Sequence, residues 1–176
     1  MPDGLSFFVR QRVKGVPVAE YRRGPLPLRA RLELFVSVCE AVGFAHHRGV
    51  AHRDIRSSNV PVETTDRGPV PKVIDFGTAA QTANTRDDVY ALGALLSELL
   101  VGANRSNADR VALDRIVTAA LRDERGHETA DAIAADVQQF LDGDSGPAAD
   151  RPRRSRAIFV AVALTALAFA VVWAVR

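Results

Sequence analysis

His52-Arg53-Asp54-Ile55-Arg56-Ser57-Ser58-Asn59, followed by Val73-Ile74-Asp75-Phe76-Gly77, is the part of this chain on which its reading turns. An Asp and an Asn stand five residues apart, and a second Asp follows ahead of Phe-Gly. Asp and Asn are also common turn residues, so each position alone has a plain structural explanation. The ordered pair of segments at this spacing says more than either one.

Outward from that pair, the chain alternates apolar periodicity with turn chemistry. Leu28 to Arg48 reads as a long amphipathic helix, since Leu28, Leu32, Phe35, Val38, Cys39 and Val42 recur at three- and four-residue steps. Gly49 stops it. Val60-Pro61-Val62 and Val70-Pro71-Lys72-Val73-Ile74 read as short strands, with Thr64 to Gly68 as the turn of a hairpin. Further helices are expected over Val89 to Val101, Leu113 to Arg122 and Ala130 to Leu141. Leu5 to Val9 is a β-like run that leads to Gly15 and Pro17, and Gly143 to Asp150 reads as a linker. No internal repeat is present. The fold class expected is mainly α with a few short strands.

Composition narrows the function. The 176 residues are 47% hydrophobic, with room for one modest core. Cys39 is the single cysteine, which excludes a disulfide framework and a cysteine-based zinc site and suits a cytoplasmic setting. It is expected to be a buried packing residue. His46, His47 and His52 lack acidic or cysteine neighbours at metal spacing and are read as structural, and His127 as a surface loop residue. The net charge of +2 comes from the end of the chain, where Arg151, Arg153, Arg154, Arg156 and Arg176 lie. The first 150 residues are slightly acidic, with no basic stripe, so a nucleic-acid partner is not expected.

Residues 157–175 form an uncharged run of 19, interrupted only by Thr165, with Trp173 near one end. A helix of that length spans about 28 Å, close to the roughly 30 Å of a hydrocarbon core. Four arginines precede the run and one follows it, so the expected topology is single-pass, with residues 1–156 cytoplasmic. No apolar run stands close enough after Met1 for a signal peptide to be expected.

Taken in order, these segments resemble the C-terminal lobe of a protein kinase, of the bacterial eukaryotic-like (Hanks-type) Ser/Thr class. Ala45 to Asp54 is similar to the end of the family's long helix and its catalytic loop, and Asp75-Phe76-Gly77 to its metal-binding segment. Leu5 to Gly15 looks like the fifth strand and the hinge. Arg86 to Gly93 resembles the helix start that carries a structural Asp. The resemblance implies Asp54 as catalytic base, Asn59 and Asp75 as Mg²⁺ ligands, and backbone near Gln11 and Val13 facing the adenine of ATP. Arg56 would meet the phosphates where the family usually carries Lys, and Arg53 would pair with a phosphorylated loop. By the same likeness, the Asp88 carboxylate would bond backbone N–H groups of the catalytic loop. The implied domains are a truncated kinase-like domain (1–142), a linker with a basic juxtamembrane segment (143–156) and a transmembrane helix (157–175).

The chain also departs from the family's pattern. Its 176 residues contain no Gly-x-Gly-x-x-Gly loop, and Lys14 and Lys72, its only lysines, fall outside the position of the ATP-anchoring Lys. Only ten residues separate Gly77 from Asp88, where the family places a far longer activation segment. The expected function is therefore a membrane-anchored, degenerate kinase-like protein, a pseudokinase or binding module partnering an intact kinase or a substrate. An active kinase completed by an N-lobe in trans, or a non-functional remnant, are the alternatives. Without an opposing lobe, apolar surface around Val9, Val13 and Val60 is expected to lie exposed.

Overall fold

The computed structural model describes residues 13–76, 84–122 and 126–143. Its core is one helix held on several sides. α2 (Leu28–His46) starts after Pro27, whose carbonyl accepts from Arg31 N at 3.1 Å. Leu32, Phe35, Val38, Cys39 and Val42 are fully buried along it, with Leu34 and Val36 close behind, so apolar contact surrounds most of its girth. It ends where the expected stop stands. Gly49 takes φ +73, and Val50 N reaches back to Ala45 O at 3.0 Å, which caps the last turn.

α3 (Arg86–Leu100) and α5 (Ala130–Gly143) pack on α2, and α4 (Asn107–Ala120) packs on both α3 and α5. Leu92, Leu96 and Leu99 of α3, Leu113 of α4, and Ile133, Val137 and Leu141 of α5 close the core. α3 and α4 approach so closely at Gly93 that an added Cβ would lie 2.7 Å from the Ala120 Cβ. Ser106 and Asp109 start α4 with a reciprocal capping box, at 3.1 and 3.0 Å. Its start therefore lies six residues before the apolar signal at Leu113.

A three-stranded antiparallel sheet in the order β1-β2-β3 sits at one end. β1 (Val16–Pro17) continues directly into a one-turn helix, α1 (Val18–Tyr21), while β2 (Pro61–Thr65) and β3 (Gly68–Pro71) form the hairpin. The hairpin turn is tighter than expected. Thr64 and Thr65 pair with Pro69 and Gly68, leaving Asp66-Arg67 as the turn. The β-branched threonines extend the ladder, and Thr65 Oγ1 donates to Gly68 O at 2.9 Å. Beyond β3, Val73 and Ile74 leave the strand, although Ile74 N still bonds Asn59 O at 3.0 Å.

Two expectations are corrected. Val60 is not exposed: it is fully buried, and Val18 N donates to its carbonyl at 2.9 Å as α1 folds over it. Val13 is half-buried, and Val9 lies outside the described residues. His127 is not a surface residue. It is 8% exposed, because its backbone N–H bonds the Ala119 carbonyl of α4 at 3.1 Å and sets the ring against α5, where Nε2 meets Asp136 at 2.8 Å. Cys39 is buried as expected, and burial, with Asp131 and Glu40 nearby, pushes its thiol well above the usual range. Among the described residues no helix is long and apolar enough to cross a membrane. The run 157–175, the basic segment before it and the β-like run Leu5 to Val9 lie outside the described residues.

Candidate functional site

The site forms where the segment after α2 meets the segment after β3. Asp54, exposed, and Asn59, half-buried, sit on the loop His52 to Asn59, whose last three residues make a 3-10 turn (Ser57–Asn59). Asn59 Nδ2 donates both to the Asp54 carbonyl and to Asp54 Oδ2, each at 2.8 Å. The five-residue spacing thus brings the two side chains into contact. Asp75 is exposed on the neighbouring segment, which the Ile74 N to Asn59 O bond at 3.0 Å ties to the loop.

Beneath the loop lies a buried carboxylate. Asp88, in the first turn of α3, is 1% exposed. Its two oxygens accept from His52 N and Arg53 N, both at 2.6 Å, and Oδ2 also accepts from His46 Nε2 at 2.8 Å. Burial pushes this carboxyl up. The His46 hydrogen bond and the two backbone N–H donors outweigh burial and hold it below the usual carboxylate range. The anchoring role expected of Asp88 is therefore seen directly.

His52 makes the second connection. It is fully buried, with Nε2 at 2.9 Å from the Ile74 carbonyl and Nδ1 accepting from Asp54 N at 3.3 Å. Those partners fit an imidazole whose proton is on Nε2. Its ring lies against Phe76, with centroids 4.5 Å apart. One side chain thus touches the segments of both candidate carboxylates.

Backbone strain marks the same place. Arg53 at φ +67 and Asp75 at φ +64 are the non-glycine residues in the left-handed region among those described. Such conformations cost about 1–3 kcal/mol each and persist where surrounding bonds over-determine them. The Arg53 N–H bond to Asp88 is one such bond.

Of the remaining sequence candidates, Arg56 is exposed at the start of the 3-10 turn. Val13 is half-buried ahead of β1, and Gln11 lies outside the described residues, as does Gly77. The donor set fits a hard cation in one respect: Asn59 spends its amide N–H groups on Asp54, which leaves Oδ1 as its oxygen donor beside the Asp75 segment. Among the described residues no group of three or more His, Cys, Asp or Glu side chains could hold a metal. An ion here would therefore need oxygens from a bound ligand as well. His46 and His52 as hydrogen-bonding partners within the site, His52 fully buried and His46 partly, were not foreseen in the sequence.

Residues 7–87 match the protein kinase domain family. The chain is 28% identical to the serine/threonine-protein kinase PknB of Mycolicibacterium smegmatis, over 57% of this chain and 21% of that protein. It is 28% identical to the serine/threonine-protein kinase PrkC of Bacillus subtilis, over 57% of this chain and 19% of that protein. The matched part spans only about a fifth of the length of these relatives. The solved kinase domain of Mycobacterium tuberculosis PknI superposes with a TM-score of 0.59 at 24% identity, covering 73% of this chain and 63% of that domain. The fold is protein-kinase-like, and the sequence is homologous to bacterial Hanks-type Ser/Thr kinases.

Proposed function

We propose that this homologue of bacterial Ser/Thr protein kinases is a membrane-anchored, kinase-like binding module that keeps a nucleotide-facing loop and lacks autonomous phosphotransfer. The observation that carries the reading is the Asn59–Asp54 contact on a loop whose Arg53 N–H is bonded by Asp88, standing beside an interval of only ten residues between Gly77 and Asp88. The bond set supports retention of the site, and the short interval argues against a full activation segment and substrate platform.

In this reading Asn59 Oδ1 and the Asp75 carboxylate would hold Mg²⁺, which would supply neutralisation of charge on the ATP phosphates. Asp54 is positioned as the base toward a substrate hydroxyl, and Asn59 orients its carboxylate through Oδ2. Arg56 offers a planar guanidinium to phosphate oxygens in place of a compact ammonium. Backbone near Gln11 and Val13 would meet the adenine. The uncharged run 157–175 and its arginine flank support a single span, with residues 1–156 cytoplasmic and an intact kinase or a substrate protein as partner.

Thermal melting of the full chain, with and without millimolar Mg²⁺-ATP and beside Asp75→Asn, tests this. Nucleotide at about 100 times its dissociation constant would stabilise the fold by about 2.7 kcal/mol. The expected result is a shift that Asp75→Asn abolishes, without phosphate transfer to added protein substrates. No shift would remove the nucleotide site from the reading. Transfer that depends on Asp54 would replace it with a second reading, an active kinase completed by another chain, which the same Asp54–Asn59 contact favours.

A further inference from the structure

One side-chain partner of the Asp88 carboxylate is a histidine. His46 closes the last turn of α2, its side chain 9% exposed against 1% for Asp88, and its Nε2 lies 2.8 Å from Oδ2. The oxygen it meets also accepts the His52 backbone N–H. Histidine changes charge between about pH 5 and 8. A charged donor makes a stronger bond to a carboxylate than a neutral one. A cation at this point also stands at the negative end of the α2 dipole.

The other charged groups around it are already engaged or turned away. On α2, His47 Nε2 bonds Asp131 of α5 at 2.7 Å, and Arg48 lies 3.4 Å above the Phe44 ring. On α3, Asp87 is exposed beside the buried Asp88. On the loop, His52 and Arg53 reach Asp88 through backbone N–H groups. Asp88 is therefore the carboxylate that His46 meets.

We propose that His46 is a positioning residue that makes the order of the Asp54 loop depend on pH. Protonated, it fixes Asp88 in the orientation that both loop N–H groups require. Deprotonated, it leaves the buried carboxylate with neutral donors only, and the His52–Arg53 backbone opens more often. Any effect on nucleotide or substrate rests on the kinase-like reading above, whereas the loop response itself does not.

The experiment is amide hydrogen exchange at His52 and Arg53 in the full chain between pH 5.5 and 8.5. Rates are corrected for the intrinsic pH dependence of exchange, and wild type is compared with His46→Gln. Glutamine can donate to Asp88 but does not titrate. Protection in wild type is expected to fall about five- to tenfold as pH rises, the difference between a charge-assisted and a neutral hydrogen bond. His46→Gln should be flat, near the wild-type level at high pH. Parallel pH profiles for the two proteins would overturn the proposal, and so would a flat wild-type profile. If His46→Gln does not fold, His46→Asn provides the same non-titrating comparison. Because no nucleotide is added, a failed Mg²⁺-ATP shift would count against the proposed function and leave this result standing.

Discussion

Two segments present exposed carboxylates at this site, and they are held in different ways. The Asp54 loop is pinned to the helical core by a buried charge: Asp88 takes His52 N, Arg53 N and His46 Nε2 at 2.6 to 2.8 Å. The Asp75 segment is tied to that loop by the Ile74 N–H on Asn59 and the Ile74 carbonyl on His52, while Val73 packs against the core. Part of the order of the Asp75 segment therefore comes through the Asp54 loop. Damage to the anchor should reach both segments.

The largest effect is expected from Asp88→Ala. It leaves the buried His52 N–H, the part-buried Arg53 N–H and the part-buried His46 imidazole without their acceptor, at about 1–3 kcal/mol for each unsatisfied group. The summed loss should be about 3–5 kcal/mol in urea unfolding, in line with other breaks of a buried charged network. Loss of under 1 kcal/mol would mean the loop is held by something other than this carboxylate. The same group gives a pH signature. Its folded pKa is depressed, so its contribution is fully present above the unfolded value of about 3.9 and is lost as pH falls through the folded value. Wild type should lose stability over that acid range, and Asp88→Asn should show a shallower slope there.

A smaller effect is expected where the two segments join. His52→Phe keeps a ring against Phe76 but removes the acceptor for Asp54 N and the donor to the Ile74 carbonyl. The cost should be about 1–3 kcal/mol, that of leaving a buried polar group unpaired. Exchange at the Ile74 amide should rise, while Arg53, still bonded to Asp88, stays protected. If both amides loosen equally, the two segments form one unit and the contrast between them fails.

What the sequence showed of this arrangement follows the range of each interaction. α2, α3 and α5 were legible because their apolar residues recur at local helical steps and Gly49 supplies the stop. The start of α4 was missed although its Ser106-x-x-Asp109 cap is local, since Leu113 and Ala120 are its only buried residues and the apolar signal begins late. α1 and the 3-10 turn are too short to have a period. Asp54, Asn59 and Asp88 were legible through family resemblance. His46 and His52 were not, because their partners lie 42 and 22 residues away and nothing nearby in sequence announces them. His127 was misread for a related reason: its partners, Ala119 and Asp136, belong to the helices on either side of it.

The smallest effect is expected from Asp75→Asn, and it is the sharpest check on the contrast. The side chain is exposed, and Asn has nearly the same size and keeps an acceptor oxygen. Its φ of +64 is also a conformation that Asn tolerates at least as well as Asp. Stability in urea should therefore change by less than about 0.5 kcal/mol, as at most exposed positions. A loss of 2 kcal/mol or more would mean that the Asp75 carboxylate, like that of Asp88, is part of what holds the fold. The two segments would then be anchored alike, and Asp75→Asn would no longer report on the ligand alone.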